Sequence, residues 1–96
     1  MPTTRTICEL LKNSQTELDS YGVKDLWLFG SVARGEESAR DIDMLVSFSE
    51  PPTLVRFMGL KFFLEDRLDA PVDLHTRSAC PDRFLKRIEK ELQHVA

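Results

Sequence analysis

Apolar residues change their spacing several times along this chain, and each change marks an element. Ile7, Leu10, Leu11 and Leu18 recur at helical intervals. Thr3 or Thr4 ahead of them can cap a helix running to about Asp19, and Tyr21-Gly22 closes it with Gly22 as a left-handed C-cap. From Lys24 to Phe29 the pattern becomes continuous through Leu26, Trp27 and Leu28, which predicts a strand stopped by Gly30. Ser31 to Gly35 predicts a short helical turn. Asp41 to Phe48 predicts a second strand, whose Met44-Leu45-Val46 run implies burial on both faces, and Pro51-Pro52 ends it. A helix from about Thr53 to Leu68 follows, with Thr53 as N-cap. A third strand, Val72 to Thr76, is entered through Pro71. The last prediction is a helix from Ser78 to about His94, with Pro81 in its first turn, where a missing N–H is harmless. The order αβ(α)βαβα predicts an α+β (α/β-like) fold with helices layered on a small sheet.

The helix over residues 53–68 carries more apolar side chains than one buried stripe, roughly 100° wide, requires. Leu54, Val55, Phe57, Met58, Leu60, Phe62, Phe63, Leu64 and Leu68 spread over more than one face, and Phe63 projects near Arg56 and Arg67. Two readings follow. Either the surplus is a docking patch for a partner or a second copy, giving a homo-oligomer through this helix, or the helix is buried more deeply than one stripe implies.

Ninety-six residues suit a single domain, 1–96, with one core and no room for a second, substrate-selecting domain. An enzyme of this size is expected to meet its acceptor on a partner. Sixteen acidic residues against 13 Lys and Arg leave a net charge of −3, which argues against direct nucleic-acid binding. Arg83, Lys86, Arg87 and Lys90 alternate with acids, as on a solvated helix face. Cys8 and Cys80 form neither a CxxC pair nor a disulfide framework, so two reduced thiols in a cytoplasmic protein are expected. No signal peptide is recognisable, and no apolar run approaches the ~20 residues of a membrane span.

The chemistry-bearing stretch is Phe29-Gly30-Ser31-Val32-Ala33-Arg34-Gly35, followed by Asp41-Ile42-Asp43. A strand that ends in Gly-Ser and enters a helical turn leaves backbone N–H groups free to bind an anion. Gly30 allows a phosphate close to the backbone, and Ser31 adds a hydroxyl. In a strand, Asp41 and Asp43 point to one face. Adjacent carboxylates repel unless a positive group lies between them. A hard divalent cation answers that need, and so does pairing with Arg34 or Arg40 at a solvated strand end. Asp73, in Pro71-Val72-Asp73-Leu74-His75, reaches the same cation if the third strand lies beside the second. Three such carboxylates can hold two metals roughly 3.5–4 Å apart.

Taken together, Gly30-Ser31, nine intervening residues, Asp41-Ile42-Asp43 and the later Asp73 resemble the signature of the polymerase-β nucleotidyltransferase superfamily. The stretch from Phe29 to Gly35, with Asp41 to Val46, is similar more narrowly to the minimal nucleotidyltransferase (MNT) proteins of prokaryotes, over nearly the whole chain. The resemblance implies a small mixed-sheet nucleotidyltransferase core. It implies that Gly30 and Ser31 hold the β- and γ-phosphates, that Asp41 and Asp43 bind two Mg²⁺ ions, and that Asp73 binds the catalytic metal and helps deprotonate the acceptor. ATP would be the substrate. MNT proteins commonly stand beside HEPN-domain ribonuclease toxins as antitoxins, and some transfer AMP to a toxin tyrosine. The chain departs from many relatives in having one residue fewer before the first aspartate, with Arg40 where a serine is common.

Arg34 either contacts the triphosphate or braces the turn, and His75 either assists near the acceptor or is structural. The resemblance points first to an antitoxin that adenylylates a HEPN partner. The alternative is an antitoxin that neutralises the toxin by binding alone. A free-standing transferase acting on a small hydroxylated molecule would need a second, acceptor-gripping domain.

Overall fold

A computed structural model describes residues 1–96. Helix α1 (Thr4–Lys12) starts where the Thr3 hydroxyl oxygen accepts the Thr6 N–H at 3.2 Å. It ends at Asn13, and α2 (Gln15–Ser20) follows after Ser14, where periodicity predicts one helix to Asp19. Ser14 accounts for the break. It is fully buried, and its hydroxyl donates to the Leu10 carbonyl at 2.7 Å, a local bond that competes with regular helix. Gly22 then takes a φ of +78°, as a left-handed cap requires.

Strand β1 (Val23–Phe29) runs into the four-residue helix α3 (Gly30–Ala33), and β2 (Ile42–Phe48) returns antiparallel to β1. Helix α4 (Leu54–Leu68) is capped by the Thr53 hydroxyl oxygen, which accepts the Arg56 N–H at 3.1 Å. It leads to β3 (Val72–Thr76), parallel to β2. Side chains of β2 alternate between two apolar layers. Ile42, Met44 and Val46 enter the main core with Ile7 and Leu11 of α1, Leu18 of α2, and Leu60, Leu64 and Leu68 of α4. Leu45 points the other way, onto Phe29 and Ile88. Burial of the Met44-Leu45-Val46 run on both faces thus matches expectation.

The end of the chain corrects the sequence reading. The helix expected over Ser78 to His94 is instead a 3₁₀ turn (Arg77–Ala79), helix α5 (Asp82–Ile88) and strand β4 (Gln93–His94). Pro81 caps α5 rather than lying inside its first turn. The open edge of β1 decides this. Val95 N–H donates to the Leu26 carbonyl at 2.8 Å, and Leu26 N–H donates to the Ala96 carbonyl at 3.0 Å. A continuous helix would leave those groups of fully buried Leu26 unpaired. The sheet order is β3-β2-β1-β4, a mixed sheet packed with helices, in line with the α+β expectation.

Helix α4 covers part of its surplus apolar residues and exposes others, with Phe63 among the covered ones. Phe63 is half-buried, 5.7 Å from the Tyr21 ring and with the Arg67 guanidinium 5.1 Å above it. The exposed apolar side chains are Leu54, Val55 and Phe62.

Candidate active site

The turn after β1 is built around Gly30, whose φ is +76°. A Cβ there would collide with the Asp43 carboxylate, meeting Oδ2 and lying 3.0 Å from Cγ. Glycine therefore serves two needs at this point, a left-handed backbone and room for an aspartate on the next strand. The turn closes through Arg34 N–H to the Gly30 carbonyl at 3.1 Å and Glu36 N–H to the Ser31 carbonyl at 3.0 Å. In so short a helix the first N–H groups have no partner within the helix.

Strand register brings the acidic residues together. Phe29 pairs with Asp43 across the antiparallel β1–β2 ladder, and Asp43 pairs with Asp73 across the parallel β2–β3 ladder. Paired residues share a face, so Asp43 and Asp73 stand side by side on the face that carries Phe29, Leu45 and His75. Asp41 lies just before β2, two residues from Asp43. Asp43 is half-buried, whereas Asp41 and Asp73 are exposed.

The electrostatics follow from this placement. The Asp43 carboxyl is pushed above its ordinary pKa, first by burial and then by the charge of Asp73, with Asp41 adding to the rise. His75 and Arg34 pull it the other way by smaller amounts. Neither Asp41 nor Asp43 stands in an ion pair, so the pairing with Arg34 or Arg40 weighed from the sequence is absent. Arg34 binds Glu36 through Nε at 2.6 Å and Glu91 through Nη1 at 2.7 Å, and these bonds, Glu36 foremost, raise its pKa. Asp73 meets only the imidazole of His75, with Oδ2 3.2 Å from Nε2. No three acidic, imidazole or thiol groups close on one point as a ready-made metal cage. The donor set nonetheless suits a hard cation: adjoining carboxylates, in no ion pair with a lysine or arginine, beside the Gly30 turn.

Two features escape sequence reasoning. Glu91 reaches across 61 positions to accept the Gly30 N–H at 3.3 Å, and no local pattern signals it. His75 packs with Phe29 and Phe84, ring centroids 5.7–5.8 Å apart, as a small aromatic cluster beside Asp73. A groove of about 490 Å³ opens next to it, lined among others by Phe57, Leu74, His75, Cys80 and Phe84.

Known proteins resemble this chain in sequence and in fold. The family described as the nucleotidyltransferase domain matches residues 7–95. The protein adenylyltransferase MntA of Thermococcus cleftensis is 35% identical over 97 residues, covering 99% of this chain and 98% of that protein. A solved structure of a candidate minimal nucleotidyltransferase superposes with a TM-score of 0.79 at 30% identity, covering 96% of this chain and 95% of the other. A second one, from a tri-AMPylated Shewanella oneidensis HEPN toxin in complex with its MNT antitoxin, gives a TM-score of 0.66 at 20% identity. It covers 93% of this chain and 71% of the other, a likeness of fold.

Proposed function

We propose, from the premise that this chain belongs to the nucleotidyltransferase domain family, that it transfers AMP from ATP to a hydroxyl of a partner protein and releases pyrophosphate. Nucleotidyl transfer as the enzymatic class comes with the family. The partner, the metal and the residue roles are the proposal. The observation that carries it is the side-by-side placement of Asp43 and Asp73, neither in an ion pair with a lysine or arginine, next to the Gly30 turn.

In this reading the Gly30-Ser31 turn cradles the β- and γ-phosphates, with Arg34 at its rim. Asp41, Asp43 and Asp73 would hold two Mg²⁺ ions. Magnesium, when bound, screens the triphosphate and lowers the pKa of the attacking hydroxyl. The acceptor oxygen attacks the α-phosphorus. A new P–O bond forms there, the bridge to the β-phosphate breaks, and pyrophosphate leaves with that electron pair. Asp73, the more exposed member of the paired carboxylates, takes the acceptor's proton. The apolar groove beside His75 suits the ring of an aromatic acceptor such as tyrosine.

A HEPN-domain toxin is the proposed partner, which makes this chain an antitoxin, in keeping with the MNT antitoxin to which its fold is similar. The test is incubation with ATP labelled at the α-phosphate, Mg²⁺ and a HEPN-domain protein encoded beside it. Label should pass to that protein and should be lost with Asp41→Ala/Asp43→Ala. An unlabelled acceptor, from a correctly folded sample, would count against the proposal. Exposure of Leu54, Val55 and Phe62 favours one other reading, an antitoxin that acts by docking alone. The double variant separates the two, because full protection of cells by it means that docking suffices.

A further inference from the structure

Glu91 lies in the connection between α5 and β4, and its single carboxylate spans two donors of the proposed phosphate site. Oε1 accepts the Gly30 N–H at 3.3 Å, and Oε2 accepts Arg34 Nη1 at 2.7 Å. A carboxylate offers a negative charge and two acceptor oxygens, the same features with which a phosphate would approach these groups. The neighbouring Gln93 side chain donates to the Ala33 carbonyl at 3.0 Å, so the segment grips the turn at both ends. Pairing of β4 with β1, Trp27 opposite His94 and Leu28 opposite Gln93, holds the segment in place. Glu36 takes the Arg34 Nε, which leaves the Nη1 side of the guanidinium for one anion at a time.

We propose that Glu91 is an intramolecular stand-in for a phosphate oxygen pair, and that the nucleotide binds by displacing it. The inference rests on the phosphate reading of the Gly30–Arg34 turn. It makes Glu91 a determinant of nucleotide affinity. A site filled by its own carboxylate binds more weakly, by the fraction of molecules in which it is open. It also ties nucleotide binding to the chain's last residues, because the displaced carboxylate belongs to the segment that covers the β1 edge.

The experiment is equilibrium titration of a non-hydrolysable ATP analogue with Mg²⁺ into the full chain and its Glu91→Gln and Glu91→Asp variants. Removing one partly exposed charge-assisted contact should tighten Glu91→Gln by about tenfold. Glu91→Asp, one methylene shorter, loses reach to at least one donor and should also bind more tightly than the parent. It keeps the test open if Glu91→Gln does not fold. The Gly30 amide resonance gives a second readout. It should move in nucleotide-free Glu91→Gln, and nucleotide should bring parent and variant to one common position. Unchanged or weaker binding by the folded variants, while the parent binds, overturns the stand-in and leaves the phosphate site intact. Absence of binding by every folded protein, the parent included, removes the phosphate reading and this inference with it.

Discussion

Replacing Asp43 by asparagine should make the protein more stable and inactive. The substitution keeps the shape that fits against Gly30 and removes one of two adjoining negative charges. Asp43 and Asp73 are directly opposite on neighbouring strands, and like charges so placed destabilise a sheet by up to about 1 kcal/mol. For a domain of this size, that corresponds to a rise in melting temperature of about 4–8 °C. The sign of the pH dependence is set by the raised pKa. Between the ordinary value of 3.8 and the higher folded value, the native state holds more protons than the unfolded chain. Stability is therefore lost as pH rises through that window and stays lower above it. Asp41, Asp73, His75 and Arg34 all act on this carboxyl and shape the window. The assay is thermal or urea unfolding of parent and Asp43→Asn in chelator, at pH 7 and at pH 3. The variant should lead at pH 7 and lose its lead at pH 3, where both states of the parent are protonated. Adding Mg²⁺ with ATP should close the gap at pH 7, because a cation between the carboxylates relieves the same repulsion. A variant no more stable than the parent at pH 7, or an advantage that persists at pH 3, would refute the reasoning.

Gly30→Ala should destabilise by about 1–3 kcal/mol, from the left-handed backbone and the collision with Asp43. In an Asp43→Ala background that loss should shrink, and a double-mutant cycle by urea unfolding reads the coupling. Leu64→Ala, at a fully buried position of α4, should cost about 2–5 kcal/mol by the same melts, with no new exposed surface to promote assembly. Phe63→Ser should lower stability by about 1–2 kcal/mol, because its ring packs on Tyr21 and under Arg67, whereas Phe62→Ser should stay within about 0.5 kcal/mol of the parent. If a partner docks on this helix, pull-down should be impaired by Phe62→Ser and spared by Phe63→Ser.

Much of the site can be read from local pattern because its physics is local. The motif spacing puts Asp41 two residues from Asp43, although Asp41 lies just before β2 rather than in it, and the glycine at the end of β1 marks a backbone only glycine takes without strain. The caps at Thr3 and Thr53 are likewise short-range hydrogen bonds, and both form where expected. Failures come where a distant group decides. Asn13-Ser14 looks compatible with helix until Ser14 is buried and turns its hydroxyl to Leu10. Residues 89–96 satisfy helical spacing as far as His94, yet unpaired main chain on β1 draws them into a strand.

The chain's own order of residues determined the elements of the core, the glycine turn after β1, the Asp41–Asp43 spacing and the family, since each depends on neighbours a few positions apart. Tertiary structure alone decided that Asp73 stands in register with Asp43, that Phe63 rather than Phe62 is covered, and that Glu91 occupies the Gly30 turn. Those outcomes depend on which strands lie adjacent and on which buried polar groups still need a partner. Both are settled only when segments far apart in the chain compete for the same core and the same hydrogen bonds.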